Sequence, residues 1–381
     1  MRLLFLNLNH SVVYGGVERW MIDSATGLQA RGHTCVLSGR PQAPWLRAAA
    51  AQGLTVRDDH RGSWATRVLR VRAAMLAIRP DLVIAKGKKA ARMAAWGRAT
   101  GGGGRAVLFF GLTHELDPRR WVDRFTWRRI DAGIVVARDA GHWYAAHGFG
   151  PPEKLNVLWK GVDLEQFASG DAAAARAHLG LGPDDIAIGT VGRLAWQKGL
   201  DDLFAAVRLV RPRVPQAHFF VIGGGRDAPL VEEAAALPDV AGAVTLLGQR
   251  DDVPELLAAM DIVVQSSKRE AMAQTTLEAM AAGRAVVSTN TVGADEAIED
   301  AVSGVIVPVG DAAAMAEAIV ALAADPGRRA SLGRAAQKRI AEHFTQPHAL
   351  DRCESLFRRL AGLPSPATPT TGDGLAPLRA Q

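Results

Sequence analysis

Only two cysteines occur in 381 residues, Cys35 and Cys353, far apart in sequence. That scarcity excludes a disulfide framework and suggests a reducing compartment. No stretch approaches the roughly 18 apolar residues that a membrane span needs, so no spanning helix is expected. The opening "MRLLFLNLN" has an uninterrupted apolar run only from Leu3 to Leu6 and no small-residue cleavage site after it. It reads as a first strand and not as a signal peptide. No Asp-x-Asp occurs anywhere in the chain, and a metal is not expected.

What is present is ordinary in bulk and uneven in distribution. A hydrophobic fraction of 48% with 22% charged residues suits a soluble globular enzyme, and the length is enough for two domains with their own cores. Residues 1–150 carry 23 Lys and Arg against 10 Asp and Glu, a net of +13; residues 151–381 carry 22 against 29, a net of −7. A basic half points to nucleic acid, anionic lipid or a phosphorylated acceptor. An Arg-rich composition that simply lines solvated faces explains the same numbers equally well.

Short apolar runs alternate with helical periodicity along most of the chain, which implies parallel sheets with crossover helices. Strands are expected at 3–8, 33–39, 55–57, 81–87 and 105–115, with helices between them, one ending at Pro80. Ligands of such sheets bind beyond the carboxyl ends of the strands. Three candidate sites lie there: Gly15-Gly16 opening the first helix, the lysines of 86–89, and His114 after the strand "RAVLFFGLTHE". Gly-Gly is equally compatible with a plain turn, and His114 with a satisfied turn residue. Asp117-Pro118 is a good helix start, and the helix after it interleaves Arg119, Arg120, Arg124, Arg128 and Arg129 with Trp121, Phe125 and Trp127. Such a face suits anionic lipid head groups, or a helix that buries its aromatics and shows Arg to water.

The richest stretch runs from 186 to 310. "IAIGTVGRLAWQKGL" reads as a strand, a Gly192-Arg193 turn, and Lys198-Gly199 at the mouth of an amphipathic helix. Backbone N–H groups and the positive end of the macrodipole gather there, and two cations five residues apart are able to grip a diphosphate. About 70 residues on, "SSKREAMAQTTLEAMAAGRAVVSTN" places Glu270 in a loop and Glu278 on the helix that follows. Cations for a diphosphate, one carboxylate for ribose and one for a sugar make a nucleotide-sugar site. "GGGRDA" after the strand at 218–222 formally fits a dinucleotide motif. It follows the wrong strand, Pro229 interrupts the next turn, and the next strand ends in Gly248-Gln249 where an acid would be needed.

These residues resemble the retaining glycosyltransferases of family 4. The matching pieces are "GRLAWQKG" for an Arg-x4-Lys, Glu270 and Glu278 for a Glu-x7-Glu, "LEAMAAGRAVVST", and "VGADEAIEDAVSGVIVPVGD". The resemblance implies the α/β GT-B fold, two Rossmann-like doubly wound domains facing across a cleft. It places an acceptor domain at 1–165, a donor domain at 166–344, a helix at 345–362 crossing back to the first domain, and a disordered tail at 363–381. Donor contacts are expected from Gly15, Gly16, Arg193, Lys198, Gln249, Arg250, Glu270, Ala271, Met272, Ala273, Thr275 and Glu278, and a sugar or acceptor contact from His114. Ala271-Met272-Ala273 stands where the family usually has Gly-Phe-Gly, and the added Cβ atoms could reshape the sugar pocket.

The implied activity is transfer of a hexose-type sugar from a nucleoside-diphosphate-sugar, with retention, to a lipid-linked or glycan acceptor of the cell-envelope polysaccharide or lipopolysaccharide type. No cofactor beyond the donor and no nucleic-acid partner is expected. The expected location is the cytoplasm, with peripheral attachment to an anionic inner membrane face. A nucleotide-sugar epimerase of the same architecture and a non-catalytic nucleotide-sugar-binding protein are the alternatives.

Overall fold

A computed structural model describes residues 1–8, 15–40, 42–59, 61–109, 120–149 and 152–364. They fall into two compact units, Met1–Lys160 together with the chain from Pro347, and Gly161–Gln346. The first division lies five residues before the expected 165/166. The reason is packing: helix α7 (Leu164–Ala168) sits against helices of the second unit, and Val162 bonds through its N–H to the Phe344 carbonyl, pinning that unit's two ends together.

In the first unit seven strands, β1 (Arg2–Asn7), β2 (Thr34–Gly39), β3 (Thr55–Asp58), β4 (Leu82–Lys86), β5 (Arg105–Phe109), β6 (Ala132–Val135) and β7 (Leu155–Val157), form one sheet. The order is β3-β2-β1-β4-β5-β6-β7, every pairing parallel. Helices cover both faces, α1 (Gly16–Ala30), α2 (Pro44–Ala51), α3 (Trp64–Ile78), α4 (Gly87–Ala99), α5 (Trp121–Arg128) and α6 (Arg138–Ala146). That explains why β1 and β4 read as continuous apolar runs: a sheet buried on both sides has no polar face. Ser63 caps α3 by accepting from the Thr66 N–H, and the helix stops at Arg79, in the left-handed region, just before Pro80.

The second unit repeats the plan with six strands, β8 (Ile186–Val191), β9 (Ala217–Ile222), β10 (Val244–Gly248), β11 (Ile262–Gln265), β12 (Ala285–Thr289) and β13 (Val305–Val307). They are ordered β10-β9-β8-β11-β12-β13 and again parallel. Around them lie α8 (Ala172–His178), α9 (Leu200–Val210), α10 (Ala228–Ala235), α11 (Val253–Ala259), α12 (Gln274–Ala281), α13 (Ala294–Ala297), α14 (Ala312–Ala324) and α15 (Pro326–Arg339). Leu203, Phe204, Val207 and Val210 of α9 form the core face that their spacing predicts, packed with Ile188, Phe219 and Val264 of the sheet. Strand order reverses between β1 and β4 in one unit and between β8 and β11 in the other. In doubly wound sheets such a reversal is where a crevice forms, because the loops leaving the two strands run to opposite faces.

The last helix, α16 (Gln346–Ala361), docks on the first unit. Glu354 is its anchor, receiving Arg31 at 2.9 Å, His33 Nε2 at 3.0 Å and Arg358 at 3.0 Å. Burial pushes the Glu354 carboxyl up, but the three donors outweigh it and bring it down to about 2. Leu350 fills the space at Gly27 and Phe357 meets Phe5. Cys35 and Cys353 are both free and buried, and burial raises both thiols, Cys35 to about 12. The expected tail at 363–381 lies, from residue 365 on, outside the described residues. No helix among the described residues is long and apolar enough to cross a membrane.

Candidate functional site

The reversal between β8 and β11 brings two loops together. After β8 the chain turns through Gly192 and Arg193, makes a short turn at Trp196–Lys198, and enters α9 through Gly199. Gly199 has φ +62°, and a Cβ there would come within 2.0 Å of the Ser266 carbonyl oxygen. Only glycine allows the β8 and β11 loops to lie this close. Ser266 Oγ donates to the Lys198 carbonyl at 2.9 Å, and the Lys268 N–H to the Gln197 carbonyl at 2.8 Å, so the two loops are stitched as well as packed.

Within this frame Lys198 Nζ lies 2.5 Å from Glu270 Oε1, both side chains mostly buried. Ser267 Oγ donates to the same Glu270 oxygen at 3.4 Å. Behind it Gln265 Nε2 donates to Ser267 Oγ at 2.5 Å, and Gln265 Oε1 accepts from Thr275 Oγ1 at 2.8 Å. The result is a directed chain, Thr275 to Gln265 to Ser267 to Glu270, ending on the carboxylate, to which the ammonium of Lys198 donates from the other side. Arg193 is exposed, and among the described residues its guanidinium has no ion-pair or hydrogen-bond partner. It shares the walls of a small open hollow with Gly192, Lys198 and Gln265. A free cation beside a paired one at a crevice is an arrangement able to receive a polyanion.

The "GGGRD" loop has a structural task. Gly223, with φ +144°, lies where a Cβ would meet the Gly192 carbonyl oxygen at 1.8 Å, so the β9 loop rests directly on the β8 turn. Asp227 accepts from the Trp196 N–H at 2.8 Å and holds that turn from the other side. Gln249 is exposed and lies next to Gly224. Arg250 forms a two-bond pair with Asp252, at 2.7 and 2.6 Å. Ala271 and Ala273 are half-buried with Met272 buried between them, and none of the three has positive φ. Replacing glycine there imposes no backbone strain, so its effect is the added side-chain volume. Glu278 is buried on α12.

Gly15 and Gly16 lie in the first unit at the start of α1. His114 lies outside the described residues, as do Asp117, Pro118 and Arg119 of the expected helix start; α5 begins at Trp121 with Arg120 as its cap. Beside Gly15 stands a group that the sequence did not single out. Glu18 is buried and receives Asn7 Nδ2 at 3.0 Å and Lys86 Nζ at 2.8 Å, across the β1/β4 reversal. Burial raises the Glu18 carboxyl, yet the charge and hydrogen bond of Lys86 bring it net below its usual value. Gln265 and Ser267 were likewise missed in the second unit. The available signal was polar residues at the carboxyl ends of apolar strands, Asn7, Lys86 and Gln265 alike. On α5, Trp121 is 67% exposed and Arg120, Arg124 and Arg128 are exposed with it, while Phe125 stacks on Trp96 and Asp123 is buried against Arg92. The helix thus packs Phe125 inward and shows Arg to water, as one of the two readings expects, while Trp121 stays exposed. Among the described residues no group of three or more His, Cys, Asp or Glu could hold a metal ion.

Two family models match the chain. Residues 14–166 match Glycosyltransferase Family 4, and residues 185–325 match Glycosyl transferases group 1. A curated D-inositol 3-phosphate glycosyltransferase of Segniliparus rotundus is 35% identical over 211 residues, 52% of this chain and 45% of that protein. The chain thus spans about half the length of the curated relatives it matches. Among solved structures, Anabaena HepE in complex with UDP-glucose aligns with a TM-score of 0.81 at 22% identity, over 95% of this chain and 98% of that one. A glycosyltransferase from Rickettsia africae aligns with a TM-score of 0.83 at 17% identity, over 94% and 98%. At these identities the likeness is one of fold, two Rossmann-like parallel-sheet domains.

Proposed function

This chain belongs to the glycosyltransferases of group 1 and family 4, and from that premise we propose that it transfers a hexose-type sugar from a nucleoside-diphosphate-sugar to a lipid-linked or glycan acceptor, with retention of configuration. The observation that carries the reading is the convergence of Arg193, Lys198 and Glu270 where strand order reverses between β8 and β11. Arg193 and Lys198 would hold the diphosphate and stabilise the charge that grows on it as the glycosidic bond breaks. Glu270 would accept from the sugar's hydroxyls and Glu278 from the ribose. In a front-face reaction the departing diphosphate takes the acceptor proton, so leaving group and nucleophile share one face of the sugar and configuration is kept. No enzyme carboxylate then attacks the anomeric carbon, in contrast to a double displacement.

HepE was solved with UDP-glucose, which makes a uridine donor the first to test. Relatives named for inositol 3-phosphate and a first half of net +13 both favour an anionic acceptor. The face of α5, with Trp121 beside Arg120, Arg124 and Arg128, supports attachment to an anionic inner membrane face. Thermal unfolding with UDP, GDP and ADP tests the donor site. A ligand at 100 times its Kd adds about 2.7 kcal/mol of stability, and Arg193→Ala should abolish most of the shift. Unchanged unfolding with all three nucleotides and with their sugar nucleotides would remove the basis for the assignment.

A further inference from the structure

The ammonium of Lys198 is already engaged. Glu270 Oε1 stands 2.5 Å from Nζ, and the side chains keep only 17% and 10% of their surface exposed. The carboxylate is also held from behind, because Ser267 donates to it and Gln265 and Thr275 fix Ser267. Glu270 therefore cannot swing aside without giving up a built set of contacts. A diphosphate reaching Lys198 meets a fixed negative charge at the same place, and like charges oppose each other strongly where water is partly excluded. A sugar attached to that diphosphate changes the balance. Its hydroxyls are neutral donors, and a carboxylate that gives up an ammonium can accept from them instead. A free nucleoside diphosphate brings the charge without the donors.

We propose that Glu270 is a specificity-determining residue that makes the site prefer an intact nucleoside-diphosphate-sugar to the nucleoside diphosphate left after transfer. It does so by retaining Lys198 unless sugar hydroxyls take over the carboxylate. The proposal rests on the reading of Arg193 and Lys198 as the diphosphate site. Its consequence is that product is expelled by the same charge that helps orient the sugar, and that removing the charge should make product bind better while transfer suffers. A plain sugar contact predicts no gain in nucleoside-diphosphate affinity.

Calorimetric titration of the full chain with three pairs, UDP and UDP-glucose, GDP and GDP-mannose, ADP and ADP-glucose, tests this in wild type and Glu270→Gln, after thermal unfolding confirms that the variant is folded. For whichever pair binds, wild type should take the sugar nucleotide more tightly than its diphosphate. Glu270→Gln should bind the diphosphate about twofold to fivefold more tightly than wild type, the scale of removing one partly exposed charge, and the preference for the sugar nucleotide should shrink. Equal or weaker diphosphate binding by the variant overturns the proposal. Wild type preferring the free diphosphate overturns it too, and that measurement stands even if the variant does not fold. Absence of binding for all six ligands in wild type is a different result: it removes the diphosphate site itself.

Discussion

The two units are built on one plan, and their reversal crevices are furnished differently. At β1/β4 the cation Lys86 is tied to Glu18, which Asn7 also holds, and the whole group is mostly buried. At β8/β11 Lys198 is tied to Glu270, and Arg193 stands exposed beside the pair. At the first crevice Lys86 is engaged by a buried carboxylate; at the second an exposed cation stands beside the engaged one. Part of the surplus charge of the first half lies on exposed faces such as that of α5. The same fold thus sets a cation within a buried pair at one crevice, leaves one exposed beside a pair at the other, and spreads others across a helix face.

The strongest way to break this contrast is at the fastening of α16, which the first unit has and the second lacks. Glu354→Ala would leave Arg31, His33 and Arg358 without their shared carboxylate, and a broken buried pair costs about 3 to 5 kcal/mol. Denaturant unfolding should register the loss. Because folding lowers this carboxyl from its ordinary 4.5 to about 2, its contribution is present above 4.5 and disappears as pH falls through that interval. The variant should therefore show a shallower loss of stability between pH 4.5 and 2 than wild type. Equal acid slopes would mean that Glu354 is not the group that titrates.

At the second crevice, Arg193→Ala or Lys198→Ala should lower turnover by roughly 10² to 10³, about 2.7 to 4 kcal/mol of transition-state stabilisation. A folded double variant with near-normal transfer would end the proposed mechanism. Glu278→Ala should weaken nucleoside diphosphate binding by about 10- to 150-fold, the loss of charge-assisted bonds of roughly 1.5 to 3 kcal/mol. Glu278→Ala and Glu270→Gln should then move that affinity in opposite directions, which calorimetry on both variants would sharpen or erase.

The smallest expected effect belongs to the surface charge. Changing Arg120, Arg124 and Arg128 together to Ser should reduce cosedimentation with anionic vesicles, each cation near such a surface contributing about 1 kcal/mol. Binding should also fall with salt, since screening acts over about 8 Å at physiological ionic strength. Wild type that ignores anionic vesicles at low salt would turn attention to a soluble anionic acceptor. A triple variant that binds as wild type does would shift the contact to other cations, such as Lys88 and Lys89.

Local pattern determined much of this protein. Apolar runs such as Leu3–Leu6 become strands because a sheet covered on both faces needs no polar side, and Leu203, Phe204, Val207 and Val210 become a core face because a helix repeats every 3.6 residues. Residues close in sequence, Gly192 to Lys198 and Glu270 to Glu278, could be read as two halves of one site. Only the tertiary structure decided how those halves meet. Whether Lys198 is paired or free depends on Glu270, 72 positions away, and on Gly199 and Ser266 letting two loops approach without a Cβ between them. Gln265 and Ser267 looked like the polar end of a strand, and the role of Glu18 depended on Lys86, 68 positions on. A side chain's partner is set by strand order and loop contact, which no local periodicity encodes.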